Sequence, residues 1–442
     1  MRIVERLTSY GIFRQRFANL LIMLSLLTLL SSTIGPQLTS PPDLAALYRL
    51  VGNDRLAPVM RREGDSLRFF FNRPAAPAGS AAPSLRLTTW ASYDARQPLW
   101  QEVRVLHLYP GSDPAASIQV LTAAVAASQL AAGQALQLSL QPLAAPTAAG
   151  TPATPTAADQ NPATTAWLSL TPEQLTRPFV LLDSTGLLLD RPYLRAGEGV
   201  AVAVFGLSQP VRWRRYAAGR PALPPFADLR TQPAAPRTLG VLDSSAAPVA
   251  DGQLLRFTKQ GLYALKVGGR GGEPVRTVPL LVARPDFPGQ TTATELIESL
   301  LYLTTAAERQ TLLQTADPKR AVDRFWLQAA GDDQTRARDL IRRYYGHITA
   351  ANELFTGHKA GWLTDRGLLY VVLGPPQGVR RAAGQEVWHY DQASREGGAV
   401  DFTFRARPST LAPDNYELVR RPEYQQLWYA AVEQWRRPLT IR

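Results

Sequence analysis

Apolar and polar positions alternate along residues 66–72, 85–93, 100–109, 117–121 and 135–140, with turn residues between the runs. In the last run Leu136, Leu138 and Leu140 share one side while Gln137 and Ser139 share the other, the period of a strand with one buried face. The short, regular spacing predicts an antiparallel β-sandwich over 61–141. Strand patterns return from Trp167, at 179–183, 200–205, 211–216, 254–257, 261–267 and 275–283, and predict a second, immunoglobulin-like sandwich over 166–285. Between the two, 142–165 is almost entirely Ala, Pro, Thr and Gly; with nothing to bury it reads as an exposed linker or a long sandwich loop. A lead-in, 36–60, carries one short helical stretch at 44–50. The glycines at 268–272 lack phosphate-loop spacing and a following helix, so they predict a hairpin turn.

After Pro285 the period becomes helical, and 286–442 reads as a helical segment followed by a small α+β module. Thr292 and Glu295 form a capping box, and Asp317-Pro318 opens a second helix with Val322, Phe325, Trp326 and Ala329 on one face. A third starts at Asp332 or Asp333 and buries Ala337, Ile341, Tyr344, Ile348, Ala351 and Phe355. Gly357 and Gly361 read as a helix stop in the left-handed region, and Thr364 and Asp365 as acceptors in a tight turn. Residues 368–373 then read as a central strand, stopped by Gly374 and Pro375. Strands at 386–391, 400–405 and 416–419 and a helix with Tyr424, Leu427, Trp428, Ala431 and Trp435 on one face complete a sheet with helices on one side.

The 442-residue chain carries a formal charge of +12, but lysine occurs only at 259, 266, 319 and 359, and the arginines are dispersed along the whole length. Dispersed arginine is a solvated surface rather than a nucleic-acid footprint, so no nucleic-acid partner is expected. Cysteine is absent, which removes thiol catalysis, disulfides and thiolate metal sites. Arg2, Arg6, Arg14 and Arg16 precede an apolar run at 17–30 and then Ser31, Ser32, Thr33 and Gly35, the order of a secretory signal peptide over 1–35. A run of that length is short for a bilayer span, so membrane contact is expected only if this segment is retained.

Residues Gly361, Trp362, Thr364, Asp365, Arg366 and Gly367, with Tyr370, Gly374 and Pro375 after them, resemble the signature of the GWxTD domain family, bacterial exported proteins. Phe325, Trp326, Tyr344 and Tyr345 upstream, and Trp388, Tyr390 and 416–419 downstream, extend the likeness over 292–442. The family has no assigned activity; the resemblance implies export to the periplasm or envelope of a Gram-negative bacterium.

Candidate chemistry is sparse. His107, His347, His358 and His389 lack metal-ligand spacing, and no nucleophile elbow or phosphate loop is present, so no metal, cofactor or catalytic residue is expected. Asp365, Glu386, Asp391 and Asp401 offer paired carboxylates for hydrolysis of an envelope polymer, against which stands a structural Asp capping its own turn and pairing with Arg366. Trp326, Trp388, Tyr390, Trp428 and Trp435 are candidate contact aromatics for an envelope protein or glycan, although their periodicity favours core packing. The expectation is therefore a non-catalytic exported interaction protein, with a carboxylate-based hydrolase as the alternative.

Overall fold

The computed structural model describes residues 42–49, 55–76, 83–110, 115–142, 164–228, 240–391 and 398–437. The signal segment and most of the Ala/Pro/Thr stretch lie outside them. The described part is mainly β, with several sheets and a helical C-terminal region.

The first unit contains β1 (Val59–Glu63), β2 (Ser66–Pro74), β3 (Pro83–Trp90), β4 (Pro98–Val105), β5 (His107–Leu108), β6 (Ile118–Ala126), β7 (Ala135–Pro142) and β8 (Thr165–Ser169). Two sheets, ordered β1-β2-β6-β5 and β4-β3-β7-β8, enclose a core that includes Leu67, Phe69, Phe71, Leu85, Leu87 and Leu138. Phe70 interrupts the expected alternation because the outer face of β2 is also covered, by Val180 and Leu188 of the next unit. Asn72 reinforces that contact, its Nδ2 donating to the Leu188 carbonyl at 2.8 Å.

Residues 165–169 correct the expected boundary at 166. They pair with β7, and Ala166 and Leu170 enter the first core, so the Ala/Pro/Thr stretch is bracketed by strands of one sheet. A stretch with no apolar face carries no signal of which core its flanks rejoin.

The second unit begins with α1 (Pro172–Thr176), followed by β9 (Phe179–Asp183), β10 (Tyr193–Arg195), β11 (Gly199–Val204), β12 (Pro210–Tyr216), β13 (Val241–Ser244), β14 (Val249–Ala250), β15 (Leu255–Arg256), β16 (Gly261–Val267) and β17 (Arg276–Ala283). A sheet ordered β15-β11-β9 faces one ordered β10-β17-β16-β12-β13 across Phe179, Val202, Leu265 and Leu280. The glycine run joins β16 to β17 as a hairpin, with Gly268, Gly269, Gly271 and Gly272 all at positive φ.

The C-terminal module contains α2 (Ala293–Glu298), α3 (Ala306–Gln314), α4 (Pro318–Ala329), α5 (Gln334–Phe355), α6 (Asp365–Leu373), a sheet of β18 (Gly378–Ala382), β19 (Gln385–Tyr390), β20 (Val400–Ala406) and β21 (Tyr416–Leu418), and α7 (Tyr424–Arg436). Val379, Trp388, Tyr390, Phe402, Phe404 and Leu418 turn one face of the sheet toward the helices. The same core takes in Trp90 and Tyr93 from the first sandwich, and Leu44, Leu47 and Tyr48 from the lead-in, whose 3-10 turn at Ala45–Tyr48 docks on β18 through Leu44 N–H to the Val379 carbonyl, 2.9 Å. Among the described residues no helix is long and apolar enough to cross a membrane.

Residues 365–373 are a helix, not the expected central strand. Leu368, Leu369, Val371 and Val372 are all buried, and an apolar run of this length buried on every side has the same signature in either conformation. Thr364 decides for the helix, its Oγ1 accepting the Gly367 N–H at 3.0 Å as an N-cap, while Gly374 ends it at φ 84°.

Candidate functional site

The signature sits where α5, the 3-10 turn Gly361–Leu363 and α6 meet. Neither Gly357 nor Gly361 adopts the positive φ expected of a left-handed stop. What Gly361 supplies is clearance, since a Cβ there would lie 1.8 Å from the Ala351 carbonyl oxygen; a Cβ on Gly367 would lie 1.9 Å from that of Gly361. The half-buried Trp362 accepts the Tyr302 hydroxyl on its carbonyl at 2.9 Å and packs edge-on to that ring. Thr364 Oγ1 also donates to the Gly361 carbonyl at 2.7 Å, joining turn to helix.

Asp365 is 8% exposed. Its Oδ2 accepts the Leu418 N–H at 2.7 Å, and Arg420 closes a two-pronged pair with Nη2 to Oδ1 at 2.6 Å and Nη1 to Oδ2 at 3.2 Å. The expected pairing with the adjacent Arg366 does not form, because residues next to each other on a helix point apart. Arg420 ties the corner further to the second unit by donating to the Leu223 carbonyl at 3.1 Å.

Arg366 leans the other way, over the rings of Phe355 and Tyr416 at 5.3 and 4.8 Å, and donates to the Asp414 carbonyl. Its Nη1 lies 4.0 Å from Glu386, a carboxylate with no exposure at all. Glu386 accepts Arg381 Nε at 2.5 Å, the Tyr48 hydroxyl at 2.9 Å and Trp388 Nε1 at 2.7 Å. Burial opposes its ionisation, but Arg381, Arg366 and these hydrogen bonds prevail and hold its carboxyl below the usual glutamate range. Burial also pushes the Tyr48 hydroxyl up to about 12. Tyr370 completes the docking of the lead-in, donating to the Tyr48 carbonyl at 2.9 Å. Gly374, ahead of Pro375, offers its carbonyl to the Tyr390 hydroxyl at 2.8 Å.

The four carboxylates therefore do not converge. Asp365 and Glu386 are enclosed at separate points, while Asp391 and Asp401 lie on the exposed face of the sheet, where they grip the two ring nitrogens of His389 at 2.9 and 2.7 Å. Those hydrogen bonds raise the His389 pKa. The aromatic candidates are corrected likewise: Trp326, Trp388, Tyr390, Trp428 and Trp435 are all at most 5% exposed and belong to the core. The polar ends of Trp326, Trp388, Tyr390 and Trp435 are also engaged, as in Trp435 Nε1 to the Val372 carbonyl at 2.8 Å. Sequence reasoning missed Tyr48, Arg381 and Arg420, whose roles arise from contacts across the length of the chain.

These features define a mainly β protein of packed sheets closed by a helical module whose signature is a packing corner. Residues 261–437 match the GWxTD domain, the family that the motif resembles. The match starts upstream of the resemblance drawn from the motif and takes in β16 and β17. No curated protein matches the chain. Among solved structures, the mouse nectin-like molecule 4 ectodomain (Ig1–Ig3) is similar at 16% identity over 52% of this chain and 66% of that one, with a TM-score of 0.14.

Proposed function

We propose that the protein is an exported, non-catalytic interaction or assembly protein of the bacterial cell envelope, with immunoglobulin-like sandwiches that hold a protein partner and a C-terminal module that serves as a rigid base. The observation that carries this reading is the engagement of Asp365 by the Leu418 amide and Arg420, which encloses the signature carboxylate rather than presenting it in an open cleft. Hydrolysis of a glycan needs two carboxyls about 5–10 Å apart with room between them for substrate or water. Asp391 and Asp401 do face each other, but the His389 ring fills the gap. None of the five candidate aromatics is free to stack on a sugar, which favours a protein partner. The edge strand β4 suits one, because Leu99, Val103 and Val105 project from it exposed and its outer edge can accept an added strand. Export rests on the pattern of residues 2–35.

A photo-crosslinking residue at Leu99 or Val103 is expected to capture a discrete protein adduct in intact cells, while one at Arg405, on the module's exposed sheet face, is not. Asp365→Asn is expected to lower the melting temperature. If instead the purified protein cleaves an envelope glycan, and Asp365→Asn melts like the parent yet has lost that cleavage, the catalytic reading replaces this one.

A further inference from the structure

Between β12 and β13 the chain leaves the second unit and lies on the module beside the signature. Within this connection Arg220-Pro-Ala-Leu-Pro-Pro-Phe226 forms neither helix nor strand. Proline fixes φ at 221, 224 and 225 and confines the residues ahead of them, 220, 223 and 224, to the extended region. From 220 to 225 only Ala222 is left unconstrained, so the sequence itself sets an extended, polyproline-like path. The module engages this path chiefly through its carbonyls. Lys359 Nζ donates to the Arg220 carbonyl at 2.9 Å, Arg420 Nη2 to that of Leu223 at 3.1 Å, and the Arg421 N–H to that of Pro225 at 3.1 Å. In return Ala222 donates its N–H to the Leu363 carbonyl at 2.8 Å. The Phe226 ring lies 5.3 Å from that of Tyr429 on α7, and Phe226 and Ala222 pack on the module core.

We propose that the signature corner carries a groove for a proline-rich, extended peptide, which residues 220–226 fill in cis. The contacts run in one order along both partners, 220, 222, 223, 225 and 226 against 359, 363, 420, 421 and 429, as for a peptide laid along a groove. Three donors and one acceptor on the module match a segment that has lost its N–H groups at 221, 224 and 225. The groove includes the signature directly, since Leu363 lies between Trp362 and Thr364 and Arg420 is the partner of Asp365. The segment is a strap on the surface rather than a thread through the core: Pro221 is exposed, and Ala222, Leu223, Pro224 and Phe226 are half-buried. A partner segment of the same chemistry would enter by displacing it. The groove is separate from the β4 edge and survives if partner capture there fails.

The test is fluorescence anisotropy of a labelled peptide of residues 219–227 with three full-length chains: the parent, a chain with 220–226 replaced by a Gly/Ser segment of equal length, and Ala222→Pro, which deletes one strap hydrogen bond and leaves the module's side chains in place. The replaced chain is expected to bind the peptide saturably in the micromolar range. The parent should bind at least about tenfold more weakly, because its own strap competes at a millimolar effective concentration. Ala222→Pro should fall between the two, and it decides alone if the replaced chain does not melt cooperatively. A peptide with alanine for all three prolines should bind several-fold more weakly, having lost its preset path. The proposal is overturned if neither altered chain binds the peptide more tightly than the parent, or if the alanine peptide binds as tightly as the proline one.

Discussion

A methyl group on Gly361 would meet the Ala351 carbonyl, and one on Gly367 that of Gly361, so backbone touches backbone where a side chain cannot be admitted. Neither neighbour is a flexible side-chain tip that could swing aside. Gly361→Ala is therefore expected to destabilise by about 3 kcal/mol or more, read as a lower urea midpoint, whereas Gly384→Ala, in a hairpin with open space around it, should show only the smaller strain of its positive φ. Glu386 makes a second claim at this scale. Its folded pKa is depressed, so its contribution is complete above the ordinary glutamate value of 4.5 and is lost as pH falls through the lower folded value. Glu386→Gln should cost about 3–5 kcal/mol at neutral pH, because it leaves buried guanidiniums uncompensated. The gap between parent and variant should narrow at pH 3; a gap that stays constant would assign the loss to packing instead.

Elements with end signals were legible from the chain itself. Asp317-Pro318 and the stripe from Ala337 to Phe355 placed α4 and α5, and the aromatic spacing from Tyr424 to Trp435 placed α7. The short α3 was missed although Thr305 and Glu308 carry the same capping box as Thr292 and Glu295, because none of its residues is buried and it has no apolar stripe to read. The reading failed at α6 for the opposite reason, an apolar run with no polar side. Thr364 was taken as a turn acceptor, which describes the hydrogen bond correctly and the element wrongly. Thr364→Ala should cost about 1 kcal/mol as a lost cap, the Gly361 carbonyl keeping the Thr364 backbone N–H at 3.0 Å. Thr364→Ser should recover most of that loss, since the hydroxyl and not the methyl makes both bonds.

At the scale of the whole chain, the least legible feature is that the lead-in belongs to the far end. Leu44, Leu47 and Tyr48 look like a brief apolar patch in the sequence, and no local period announces a partner more than 300 residues away. In the fold, Tyr48 stacks on Phe355 at 5.7 Å and packs against Trp388 at 5.2 Å, while its hydroxyl bonds Glu386 and its carbonyl receives Tyr370. Removing that ring opens a cavity in the module core and strips a donor from a buried carboxylate, so Tyr48→Ala should cost about 4 kcal/mol. The loss should also be unevenly distributed. The Val379 backbone of β18 and the Glu386 and Trp388 side chains of β19 touch the docked segment, whereas β9 and β11 lie in a separate sheet with their own core. Native-state hydrogen exchange should then show faster opening at 378–390 and unchanged protection at 179–183 and 199–204. Uniform loss across both regions would mean that the sandwiches and the module open as one unit, and the lead-in would then stabilise the entire chain rather than the end it touches.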